Sequence, residues 1–174
     1  MKLEMPSKDD LDIVSAQLGR PVRSVAGIAW RCQCGMPGVL ATYPRLDTGQ
    51  PFPTTFYLTH PGYVLACSRL EASGLMAELS DKLTYDHDLA AVYRQAHESY
   101  LKDRETLAAK LGEPVTEIAG ISAGGMPNRV KCLHALVGHA LAAGAGVNPI
   151  GDLVIKMVGD VCQHPCQIAG RQES

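Results

Sequence analysis

No stretch of this sequence approaches the roughly 20 consecutive apolar residues of a membrane-spanning helix, so a chain threading a bilayer by helices is not expected. Positive charge is not in surplus either. Lys and Arg number 16 against 18 Asp and Glu, a formal net charge of -2, which removes the basic footprint of a nucleic-acid binder. Aromatic residues make up only 5% of the chain, with one tryptophan and two phenylalanines, so the core is expected to rest mainly on Leu, Val, Ile, Ala and Met. Internal repeats and low-complexity stretches are missing, and the opening residues MKLEMPSKDDLDIV place acids where a secretory leader needs apolar ones. A cytosolic protein, with neither membrane nor nucleic acid as partner, is the expectation.

What the chain does have is 174 residues, 46% of them apolar and 20% charged, enough for one hydrophobic core. A single domain over 1–174 is expected, with 1–6 and 162–174 as disordered tails. There are also six cysteines. Without an export signal, a reducing compartment favours metal ligands, reactive thiols or buried thiols over disulfides.

Ser7 is placed to cap a helix carrying Leu11, Val14 and Leu18 on one side, with Gly19 and Pro21 as its stop. SVAGIAWR and VLATY flank CQCGMPG, which predicts a β-hairpin with Cys32 and Cys34 in its loop. After PRLDTGQPFP, too rich in turn formers for regular structure, TTFYLT reads as a third strand. Helical spacing then takes over, and His60-Pro61 opens a stripe of Tyr63, Val64, Cys67, Leu70 and Leu75 that Gly74 weakens. A long helix over 86–111, ended by Gly112 and Pro114, presents Leu89, Val92, Tyr93, Ala96, Tyr100, Leu107 and Leu111 on one side. VTEIAGISAGGMP leads into a helix expected over 127–143, and a last helix is expected over 152–161. Together these give an α+β fold, a small antiparallel sheet of about three strands packed with about four to six helices.

Chemistry is concentrated in the cysteines and histidines. Cys32 and Cys34, two apart at a strand end, can turn both sulfurs to one side and share a metal. A structural zinc wants four ligands, so this pair needs partners from elsewhere in the chain; one buried and one exposed thiol is the competing reading. RVKCLHALVGHAL puts Cys132, His134 and His139 on one predicted helix. At about 100° per residue, His134 falls on one edge of the apolar arc and Cys132 and His139 on the other, so a regular helix cannot aim all three at one ion. A Cys132–His134 pair is available only if the first turn is irregular; otherwise these are a half-buried thiol and two hydrogen-bonded histidines.

SAGGMPNRVK joins flexible glycines to an expected helix start. Free backbone N–H groups there would favour a small anion held by Gly124, Gly125, Arg129 and Lys131, against the plainer alternative of a glycine-rich lead into the helix. His97, Glu98 and Arg104 read as a structural hydrogen-bond network rather than a catalytic base. CQHPC sets Cys162, His164 and Cys166 within five residues, a donor set that can complete a site with Cys32 and Cys34, against the competing expectation of a frayed terminus.

Several segments, AQLGR, IAWRC, PFPTTFYLTHP, SRLEASGLM, AHESYL and SAGGMPNRVKCLHALVGHALA, resemble a bacterial family known as domain-of-unknown-function family 501, notably actinobacterial. The resemblance spans about residues 10–150 and implies no particular reaction. It does imply a grouping of donors, with Cys at position 32, Cys or His at 60, and Cys and His at 132 and 134. A soft-ligand metal tolerates such a Cys-or-His choice. The ligand set implied by the resemblance is therefore Cys32, His60, Cys132 and His134, with Cys34, Cys67 and the CQHPC segment outside it.

Two functions are expected to compete. One is a non-catalytic protein holding zinc, or an iron–sulfur cluster as the alternative, in a structural or regulatory role. The other is a metal- or thiolate-dependent enzyme acting on a small phosphate- or carboxylate-bearing substrate.

Overall fold

The computed structural model of the chain describes residues 2–112, 114–163 and 166. Ser7 opens the first helix, α1 (Lys8–Leu18), through a capping box: its side chain accepts from Asp10 N–H while the Asp10 carboxylate accepts from Ser7 N–H. The hairpin follows as β1 (Val25–Arg31) and β2 (Pro37–Thr42), and β3 (Phe56–Leu58) pairs with the other edge of β2, giving an antiparallel sheet in the order β1-β2-β3. Strand alternation sorts the faces. Ile28, Leu40 and Tyr57 meet Val14 and Leu18 of α1, while Val39, Ala41, Phe56 and Leu58 face the helical core. Arg31 fastens α1 to the sheet with a forked pair, Nη1 to Asp10 Oδ1 at 2.7 Å and Nη2 to Asp10 Oδ2 at 2.9 Å, which holds the Asp10 carboxyl well below the usual carboxylate range. Within the segment expected as an N-terminal tail, Glu4 forms a bridge to Ile28. Of the expected tail at 162–174, all but Cys162, Gln163 and Cys166 lies outside the described residues.

Six α-helices surround the sheet among the described residues: α1, α2 (Pro61–Ala72), α3 (Leu75–Tyr85), α4 (His87–Leu111), α5 (Leu133–Ala143) and α6 (Pro149–Val158), with a short 3-10 turn at Thr116–Ile118. The helical stripe expected to run on through Leu75 is in fact two helices, because Gly74 adopts φ 92° and turns the chain between α2 and α3. α4 buries Tyr93, Ala96, Tyr100, Arg104 and Leu107, while Val92 and Leu111 are left exposed.

The core rests mainly on Leu, Val, Ile, Ala and Met, as expected, and the few rings join it: Tyr93, Tyr100 and Phe56 are among its largest fully buried side chains. A few rings bury more area each than any aliphatic residue, provided a polar tip finds a partner. Here Tyr100 Oη accepts Thr55 N–H at 2.6 Å and donates to Pro53 O at 3.1 Å. Two expected helices shift. The helix expected over 127–143 starts six residues later, at Leu133. Upstream, the backbone is spent on turns and neighbours: Lys131 N–H donates to Gly124 O, Val130 N–H to Ser80 Oγ, and Arg129 O accepts from Tyr93 Oη. The helix expected over 152–161 runs earlier, as Pro149–Val158, because Asn148 caps it through Gly151 N–H with Pro149 in the first turn.

The crossing of α5 and α6 depends on one glycine. A Cβ at Gly151 would overlap the Leu136 carbonyl and come within 2.6 Å of Ala140 Cβ. Gly151→Ala is therefore expected to lower stability by about 1–3 kcal/mol through forced separation of the two helices. Urea denaturation reads this directly, and an unchanged midpoint would show that the crossing yields at no cost.

Candidate metal centre

β1 is irregular where it nears the hairpin turn, with register shifts between Ile28 and Trp30 and between Trp30 and Arg31, and such bulges re-aim the side chains beyond them. The turn itself is tight. Cys32 N–H donates to Met36 O at 2.9 Å and Gly35 N–H to Cys32 O at 2.8 Å, with Gly35 at φ 86°. After α6 the chain lies back across the start of α2. Val161 packs on Gly62, where a Cβ would come within 2.8 Å of Val161 Cβ. Gln33 Nε2 donates to Asp160 at 3.0 Å, and Asp160 Oδ1 accepts Cys162 N–H at 2.9 Å.

That path carries the last two described cysteines to the hairpin turn. Cys166 Sγ lies 3.4 Å from Cys34 Sγ, 3.5 Å from Cys32 Sγ and 3.8 Å from Cys162 Sγ, and all four sulfurs fall within 4.8 Å of one another. A tetrahedral ion with metal–sulfur bonds of about 2.3 Å sets its sulfurs about 3.8 Å apart, so the group has the size of a one-ion site. Four nearby cysteines of this kind can hold a metal ion.

The electrostatics divide the group. Burial raises the Cys32 and Cys166 thiols. Cys34 goes the other way: against its burial, the N–H groups of Met36 and Cys166 and the neighbouring thiols bring it down to about 6. His60, fully buried, reaches the group through Nε2, 2.9 Å from Cys166 Sγ. Its Nδ1 accepts Tyr63 N–H at 3.3 Å, so the ring proton sits on Nε2 and the imidazole donates to the sulfur. Trp30 and Tyr63 wall the ring at 5.8 and 5.3 Å, and a cavity of about 240 Å³ opens beside Cys32 and Cys162.

The ligand set implied by resemblance is distributed over two places. Cys32 and His60 lie at the four-sulfur group. Cys132 and His134 lie in a second group with Glu71, whose donor atoms also fall within 4.8 Å of one another. Cys132 is the non-helical residue before α5, with extended φ -156°, and it is this irregular start that lets the Cys132–His134 pair converge. His134 Nδ1 lies 3.0 Å from Glu71 Oε1, and the same oxygen accepts Leu133 N–H at 2.6 Å. The Cys132 side chain first, and Glu71 after it, overcome burial to bring His134 up to about 9.

Gly124 and Gly125 stand in the loop upstream, both at positive φ, where added Cβ atoms would strike Leu136 and the Arg129 carbonyl. The first N–H of α5 is taken by Glu71. His139 is buried in the core, His97 Nδ1 lies 2.8 Å from Ser122 Oγ, and Arg104 donates to the Ile118 and Ile121 carbonyls. Cys67 is buried, which pushes its thiol up to about 12. His164 lies outside the described residues. The contribution of Glu71 was missed because nothing in SRLEASGLM distinguishes it from a solvated helix carboxylate.

Fold and site define a small α+β protein built around a three-stranded antiparallel sheet, with four cysteines gathered at the turn end of its hairpin. Residues 28–156 match the family described as protein of unknown function (DUF501), and the chain belongs to that family. The matched span contains both Cys32 and Cys34 and the whole second group, while Cys162 and Cys166 lie beyond it. Comparison with curated proteins and with solved structures finds no match. Among the described residues no helix is long and apolar enough to cross a membrane.

Proposed function

We propose that this protein binds one zinc ion through Cys32, Cys34, Cys162 and Cys166, in a structural or regulatory role. The observation that carries this reading is the convergence of four sulfurs from opposite ends of the chain, at spacings of 3.4–3.8 Å around Cys166. Four thiolates around one ion form a closed shell, which suits a structural centre rather than one that must admit substrate. The spacing favours one ion over an iron–sulfur cluster, whose irons and sulfides push the protein sulfurs further apart. The N–H of His60 and the turn amides offset the negative charge that four thiolates bring to a zinc ion. A reducing compartment, such as a cytosol, keeps such thiols available.

Elemental analysis of full-length protein, purified anaerobically without chelator, tests the reading. Cys32→Ser and Cys162→Ser are each expected to carry one zinc equivalent fewer than the wild type. Equal zinc in all three proteins would sink it, and stoichiometric iron with visible absorbance would replace zinc by the cluster.

A further inference from the structure

Going beyond the four-cysteine centre, we propose that Glu71, Cys132 and His134 form a second, separate site for a divalent transition metal, with its fourth position open to a cavity that admits water or an oxygen donor of a small molecule. The two places stand at opposite ends of α2. His60, which touches the first, precedes the helix and Glu71 lies in its last turn, about 15 Å of helix away.

The hydrogen bonds around His134 carry the argument. Its Nε2 lies 3.2 Å from the Val64 carbonyl, an acceptor with no proton to give, so Nε2 bears the ring proton. Nδ1 faces Glu71 Oε1 at 3.0 Å with the Cys132 sulfur in the same group. Without a metal, a proton on Nδ1 joins the ring to its two neighbours; a metal ion takes the place of that proton, and the ring nitrogen, the carboxylate oxygen and the sulfur are then its ligands. A histidine whose second nitrogen is pinned by a backbone carbonyl is the arrangement that orients a metal ligand. Mixed N, O and S donors suit zinc and its first-row neighbours rather than magnesium or calcium.

Three protein ligands leave a tetrahedral ion one position short, the pattern of sites that work on a ligand rather than brace a fold. That position has somewhere to open. Cys132 and His134 line a cavity of about 480 Å³, with Thr54, Tyr57, Thr59 and Gln17 supplying polar groups on its wall. The volume accommodates a small molecule, and a metal-bound water there is activated toward hydroxide.

Cobalt(II) titration of chelator-stripped, full-length protein under anaerobic conditions tests the site. Wild type is expected to bind two equivalents: one with the intense spectrum of a tetrathiolate, the other with a weaker thiolate band that shifts when acetohydroxamate is added. Cys132→Ser should bind one equivalent, keep the tetrathiolate spectrum and lose the shift. Glu71→Gln, which keeps the carbonyl oxygen that caps Leu133 N–H, should weaken the second site at least about tenfold while leaving the fold intact by circular dichroism. One equivalent in wild type, with Cys132→Ser unchanged, overturns the second site and leaves the four-cysteine centre standing. One equivalent lost in Cys132→Ser but retained in Cys32→Ser supports the second site and overturns the first. Two equivalents with no response to acetohydroxamate would overturn the open position.

Discussion

Stripping the metal from the four-cysteine centre is expected to lower the melting temperature by about 8–16 °C. An ion that binds the folded chain alone stabilises it by about 4 kcal/mol when its free concentration is 1,000 times its dissociation constant. At this chain length each kcal/mol moves the midpoint by about 2–4 °C. The site is well placed to exert that effect, because Cys32 and Cys34 belong to the hairpin turn while Cys162 and Cys166 follow the last helix. The ion thus closes most of the chain into a loop, and holds a C-terminal segment whose other described attachments include the Val161 contact on Gly62, polar bonds through Asp160 and the His60 contact with Cys166. Melting with and without a strong chelator, followed by zinc addition, measures the difference. Cys32→Ser should melt near the stripped wild type and ignore the chelator. If stripped and loaded wild type melt together, the centre contributes nothing to the fold.

How far the sequence disclosed this centre depends on which residues had local signatures. The hairpin was legible because β-branched runs flank a turn-rich CQCGMPG, and Cys32 and Cys34 fall inside it. The long helix was legible from its spacing and the Gly112 stop. The return of the C-terminal segment was not, since it is set by a contact with Gly62, a hundred residues away in the chain, and a terminal CQHPC reads equally as a ligand set or a loose end. Position α5 shows a different limit. Its expected start at 127 followed the proline rule, but backbone bonds to Ser80 and Tyr93 outcompete a helix through 132. That shift is what makes Cys132 extended and turns it toward His134, an irregularity that helical geometry required of the pair and local sequence could not supply.

Acidification is expected to destabilise the protein well above the usual carboxylate range, through His139. The ring is fully buried, stacked on Phe56 at 5.5 Å and edge-on to Tyr100 at 5.2 Å. Asn148 fixes its protonation. Asn148 Oδ1 accepts Gly151 N–H at 2.9 Å, so the amide NH2 must face His139 Nδ1, at 3.1 Å, and that nitrogen must accept. A second proton on the ring would oppose two donors and require Asn148 to turn, giving up its cap on α6. Burial accordingly lowers His139 to about 4. The unfolded chain takes up the proton at its ordinary value, about 6.5, and the folded chain does not. The unfolded state therefore binds more protons between these values, and stability, complete above about 6.5, is lost by about 1.4 kcal/mol per pH unit down to about 4. His60 and His97 are lowered by burial too and add to the slope in the same direction. The contribution of His139 is isolated by His139→Gln, which keeps an acceptor for Asn148 but cannot titrate. Urea denaturation of the chelator-stripped proteins from pH 7.5 to 4.5 should give a shallower fall for the variant than for the wild type, the two curves converging as pH drops. Parallel curves would show that the ring takes its proton in the folded core as readily as in water, against the constraint that Asn148 imposes.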